Sequence, residues 1–173
     1  MSIIIIILLV LGGIIGYRRG LSLQVLHMLG TLSAVIIAAL NFELLASRFD
    51  MILPYPAPGN ESALTALPNL EDPEASFYKM GAFIIIFIIA KVVLQLIISA
   101  FDYLQQVPIL GLIGSVVGAA IGVAEVIVVV VVILFMIALI PLEFIQDVVD
   151  GGLFRQLLDN TFLLSGQLKN WID

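Results

Sequence analysis

Residues 109–140 read ILGLIGSVVGAAIGVAEVIVVVVVILFMIALI, a continuous apolar stretch with one ionisable side chain, Glu125. About 20 predominantly apolar residues are enough to cross a bilayer. A soluble helix has one polar face, and this stretch has none. It is predicted to be a membrane span. Glycine spaces its first half at Gly111, Gly114, Gly118 and Gly122, and valine fills 128–132. In Gly114-xxx-Gly118-xxx-Gly122 the glycines fall on one face, where a second helix backbone can approach closely. This face is expected to pack within the bundle or against another copy of the chain.

Three more apolar runs lie upstream. Residues 3–15 carry no charge and end at Gly16-Tyr17-Arg18-Arg19-Gly20. A cleaved signal would carry its positive charge before the apolar run, but here the arginines follow it. The run is therefore predicted to be an uncleaved first span, about 2–17. The second span, 21–40, places Gln24, His27, Thr31, Ala34, Ala38 and Asn41 at steps of three and four residues, a single helical face. In lipid, such a small and polar stripe turns towards other helices. Gln24, His27, Thr31 and Asn41 are read either as hydrogen-bonded interior groups or as contacts to a proton or ligand. The third span is predicted at 80–101, with Lys91 near its middle.

Between spans two and three, residues 41–79 hold six acids against Arg48 and Lys79, and Pro54, Pro56, Pro58 and Gly59 break any helix there. This segment is expected to be an acidic loop outside the hydrocarbon. The spacing of Phe42, Leu45, Phe49 and Ile52 predicts a short interfacial helix at its start. Beyond Pro141 the apolar residues fall into stripes, ending in Leu164, Leu168, Trp171 and Ile172. The tail, 141–173, thus reads as amphipathic helices lying in the interface. The whole is an all-α integral membrane protein: a four-span domain over 1–140, an acidic extracytoplasmic loop and an interfacial tail.

Composition agrees. Over 173 residues the chain is 62% hydrophobic and 12% charged. That is too little polar surface to keep a soluble domain of this size in water. The net charge of −6 shows no basic patch for nucleic acid, there is no cysteine, and one histidine cannot build a metal site. No phosphate-cradling loop or nucleophile elbow is present. The chain is expected to be non-enzymatic, to need no cofactor and no metal, and to have the lipid bilayer as its main environment.

Orientation rests on Arg18 and Arg19, in a tight turn over 16–20 set directly against two spans, which places them on the cytoplasmic side. Both termini and the acidic loop then lie outside. Four bases on the outer side (Arg48, Lys79, Arg155, Lys169) outnumber these two, but they are spread over longer segments. Lys91 and Glu125 fall at similar depth on adjoining spans. A lone charge there costs about 2.5–3.5 kcal/mol, so the two are predicted to pair, with Gln95 one turn from Lys91 able to hydrogen-bond either. The pair is read as setting helix register; the other reading is a titrating site in an ion pathway.

The apolar run leading into Gly16-Tyr17-Arg18-Arg19-Gly20-Leu21, followed by the glycine-spaced stretch 110–118, resembles the colicin V production protein family of bacterial inner-membrane proteins. Where that family often has Asn or Arg before the glycines, this chain has Val107-Pro108-Ile109. The resemblance implies an inner-membrane factor needed for producing and exporting a peptide toxin and for envelope maintenance, and it supplies no catalytic residues. Such a factor is expected to be oligomeric and to meet an envelope or secretion partner through the loop or the tail. A small transporter or channel built on Lys91 and Glu125 is the reading from another class.

Overall fold

The computed structural model describes residues 2–49, 54–55, 72–100 and 111–140. Among them there is no strand. The elements are α1 (Ser2–Phe49), α2 (Pro73–Ala100) and α3 (Gly111–Ala138). Each is long and apolar enough to cross a membrane. The link at 101–110, most of the loop and the whole tail at 141–173 lie outside the described residues.

α1 is interrupted once. Gly20 adopts φ 74° and ψ 177°. That backbone region is open essentially only to glycine. Residues 16–19, expected as part of a five-residue turn, are helical instead, so the corner is one residue wide. The chain turns back there, as two sets of contacts show. Before the corner, Gly12 lies against Gly122 and Val126 of α3. After it, Gln24 and Thr31 both reach Glu125, on the same stretch of α3. A straight helix would carry Thr31 about 28 Å beyond Gly12. The two halves of α1 thus run back along one another's length.

The helices also extend further than the apolar runs. α1 continues to Phe49, so 41–49 are helical rather than loop. α2 begins at Pro73, seven residues before the expected span. Its start is set by local chemistry. Asp72 is the N-cap: its Oδ1 accepts the Ala75 backbone N–H at 3.0 Å, and its carbonyl accepts that of Ser76 at 3.0 Å. Such a cap satisfies donors that the first helical turn would otherwise leave bare. Pro73 has no N–H to leave unsatisfied there, and Glu74 meets the positive end of the helix dipole. Hydropathy does not register these polar capping residues as helical.

The chain forms two compact units. Of the described residues, one combines 38–49, 54–55 and 72–86 with 131–140. Its core holds Phe42, Phe77, Met80, Phe83, Phe135 and Leu139, each at most 5% exposed. The rings of Phe42 and Phe83 lie 6.5 Å apart, and Tyr55 stands edge-on to Phe77 at 5.3 Å. Both are favoured arrangements of aromatic pairs. The Tyr55 backbone N–H donates to the Tyr78 hydroxyl at 3.0 Å. Burial first, then the carboxylates of Glu74 and Asp72, raise the Tyr55 phenol above its ordinary range.

The other unit combines the described residues 3–37 with 87–100 and 111–130. Its core is Ile5, Leu23, Ala34, Val35, Phe87, Ile98 and Val128, with four buried polar or charged groups: Gln24, His27, Thr31 and Glu125. Across both units large apolar side chains face outward, among them Ile3, Leu40, Leu44, Leu96 and Leu112 at 67–77% exposure. In water this surface would drive aggregation; in lipid it is the solvated face.

Candidate functional site

Close helix contact comes first, because it sets the site's depth. Gly16 and Gly122 back onto each other, and a Cβ added to Gly118 would sit 2.5 Å from the Gly16 carbonyl oxygen and 2.7 Å from the Gly20 carbonyl carbon. These are backbone atoms and cannot move aside. Gly16 and Gly20, expected only as turn residues, therefore also belong to a second series, Gly12-xxx-Gly16-xxx-Gly20, which meets Gly118 and Gly122 face to face. The signal was present in the sequence: the two series have the same four-residue period, so they can mesh along their length. Gly114 is buried on α3 as well. The glycine face is filled within one chain.

One turn along α3 from Gly122 stands Glu125, at the middle of the helix and 10% exposed in its side chain. Three side chains from two other helical segments, α2 and the part of α1 after Gly20, converge on it. Lys91 Nζ of α2 lies 2.8 Å from Glu125 Oε1. The Thr31 hydroxyl donates to the same oxygen at 2.7 Å and accepts from Lys91 Nζ at 2.6 Å. Gln24 Nε2 donates to Oε2 at 2.7 Å. Both carboxylate oxygens are thus engaged, and the lysine charge is shared between a carboxylate and a hydroxyl. Charge-assisted bonds of this length are roughly twice as strong as neutral ones, and more so away from water.

α1 supplies its two donors by helical spacing. Gln24 and Thr31 are seven residues apart, two turns on one face. Both are 1% exposed. His27, between them, is also 1% exposed, and its carbonyl lies 3.1 Å from the Thr31 hydroxyl as a second acceptor. Gln24 Oε1 is buried and has no hydrogen-bond partner among the described residues. Two expected members are elsewhere. Asn41 is exposed and lies in the other unit. The buried face drifts round the helix, so Phe42, about five turns from Gln24, takes the inward position at that level. Gln95 is half-buried and joins neither partner; Thr31 and Gln24, approaching from α1, take the role expected of it. Among the described residues, no three His, Asp or Glu side chains come together to hold a metal ion.

Long apolar helices exposing lipid-facing side chains, around a charge pair wrapped by the chain's own donors, define a polytopic integral membrane protein. Its sequence matches the model of the Colicin V production protein family over residues 1–162, and the chain belongs to that family. It is similar to an uncharacterized transmembrane protein of Bacillus subtilis (strain 168), YshB, with 31% identity over 171 residues, covering 98% of this chain and 95% of the relative. No solved structure matches it.

Proposed function

We propose that the chain is a non-enzymatic factor of the bacterial inner membrane that supports toxin production and secretion and envelope maintenance by holding protein partners at the membrane. The observation behind this reading is the saturation of Glu125, engaged by Lys91, Thr31 and Gln24 from its own helices. A carboxylate so enclosed is built to fix three segments in register, not to meet a substrate. The reversal at Gly20 supports four crossings, with α1 contributing two. Arg18 and Arg19, at that corner, support a cytoplasmic turn with both termini outside. Because the glycine face is filled internally, the acidic loop and the tail are left as surfaces for an envelope partner or a second copy.

Complementation tests this reading. In a toxin-secreting bacterium lacking its own family member, this chain should restore toxin release and resistance to envelope stress. Variants in the loop should lose both activities while remaining in the membrane. Full activity after the loop is replaced by an unrelated polar linker would refute partner binding there. Reporter fusions at Asp173 and within the loop should read outside the cytoplasm, and a cytoplasmic result at both would invert the topology.

One observation favours transport as a second reading. Gln24 Oε1 is buried without a hydrogen-bond partner among the described residues, and the Lys91 side chain is 23% exposed. The cluster therefore keeps one unused buried acceptor beside an ionisable pair, and ionisable groups at membrane depth often mark ion pathways. Protein-dependent ion or proton flux into liposomes, abolished by Glu125→Gln, would establish it; the absence of flux would leave the scaffold reading alone.

A further inference from the structure

On the lipid-facing side of the glycine contact, residues 9–18 of α1 and α3 enclose an open groove of about 510 Å³. Its walls are apolar: Leu9, Val10 and Ile14 on one helix, Val123 on the other. Its floor is open because Gly13 and Ala119 are small; a Cβ on Gly13 would already come within 3.3 Å of Val123. At the end near the Gly20 corner it is closed by Tyr17 and Arg18, both exposed. Arg18 makes no ion pair with any described residue.

Length and charge together specify an occupant. From Leu9 to Arg18 the helix rises about 13 Å. One leaflet of a hydrocarbon core about 30 Å thick is close to that depth. An acyl chain lying in the groove would therefore place its phosphate at the level of Arg18, beside a tyrosine whose ring suits the interface. We propose that the groove binds an anionic phospholipid, its acyl chain between α1 and α3 and its phosphate on Arg18. The guanidinium presents a fork of donors that fits phosphate oxygens. A zwitterionic lipid carries a compensating cation close to its phosphate, so Arg18 gains less from it.

The leaflet follows from the topology proposed above, in which Arg18 faces the anionic cytoplasmic surface. The site itself does not depend on that orientation. A measurement in detergent therefore tests the site, and the reporter fusions test the topology separately.

The full-length chain is purified in neutral detergent at constant ionic strength. Dioleoyl phosphatidylglycerol or dioleoyl phosphatidylcholine is titrated in, and the thermal unfolding midpoint is read from helix circular dichroism. Phosphatidylglycerol should raise the midpoint saturably, half-saturating at about fivefold lower concentration than phosphatidylcholine, which corresponds to the ~1 kcal/mol that one basic residue contributes at an anionic surface. Arg18→Gln, an exposed change that leaves packing intact, should erase the difference between the lipids. Arg48→Gln, at an exposed arginine in the other unit, should preserve it. Ala119→Phe, which fills the groove, should weaken both lipids while helix content is unchanged. Equal responses to the two lipids in the parent, or a preference that survives Arg18→Gln, would overturn the proposal.

Discussion

Replacing Lys91 by Met tests the charge cluster most directly. The substitution keeps the volume and removes one cation. Glu125 retains Thr31 on Oε1 and Gln24 on Oε2, but loses the 2.8 Å contact from Nζ. A hydrogen bond to a charged group contributes about 1.5–3 kcal/mol. An uncompensated charge at membrane depth costs about 2.5–3.5 kcal/mol on insertion scales, a ceiling because the carboxyl can take up a proton. The Lys91 side chain is 23% exposed. At this depth that exposed part faces lipid rather than water, so it brings little screening. Together these put the loss near ~3 kcal/mol. Glu125→Met should lose about as much, because it strands the buried Gln24 amide while Lys91 can extend towards the polar edge. In the double variant no charge remains, and the Thr31 hydroxyl can turn to the His27 carbonyl. Only the Gln24 amide is then stranded, so the double variant should cost about 3 kcal/mol, no more than either single. The cycle would thus fall short of additivity by about 3 kcal/mol. Reversible unfolding in mixed micelles of increasing SDS content, followed by helicity, measures all four proteins. If the double variant equals the sum of the singles within about 0.5 kcal/mol, the two residues do not act as a pair and the cluster does not hold the helices.

Gly118→Ala should destabilise by about 3 kcal/mol or more, because its Cβ meets three backbone atoms. Gly13→Ala should lose far less, since it meets one Val123 methyl that can rotate. Equal loss at both sites in the same SDS titration would remove the case for backbone contact. Gly20→Ala has open space around it but an unfavourable backbone angle, and should cost about 1–3 kcal/mol, restored by no substitution at neighbouring positions. Asp72→Ala should cost about 1 kcal/mol and fray the first turn of α2, read as faster amide exchange at Ala75 and Ser76; unchanged exchange there would mean the cap is not formed.

Much of this protein is legible without coordinates, because a bilayer admits few solutions. Apolar runs of this length can satisfy their backbone in lipid only as helices, so helix type and membrane location follow from hydropathy. The ionisable residues that matter can be named for the same reason: at this depth Lys91 and Glu125 are conspicuous. Hydropathy is weaker at helix ends, where Asp72-Pro73-Glu74 starts α2 by hydrogen bonding and dipole charge, in residues that read as loop. Helical periodicity likewise places Gln24, His27 and Thr31 on one face, but periodicity alone also admits Asn41, which the drift of the buried face leaves outside.

What required the tertiary structure is the choice of partners. Glu125 has neighbours on two sides, and only packing decides that Thr31 and Gln24 fill its coordination while Gln95, on the same helix as Lys91, does not. The glycine series on α3 can serve a second copy or another part of the chain. That choice fell to Gly12, Gly16 and Gly20, because the corner at Gly20 brings their bare backbone against Gly118 and Gly122 within one molecule. Local geometry sets the period and polarity of each helix. Which faces meet depends on contacts among residues far apart along the chain, 101 positions from Gln24 to Glu125, and those are set only when the helices pack.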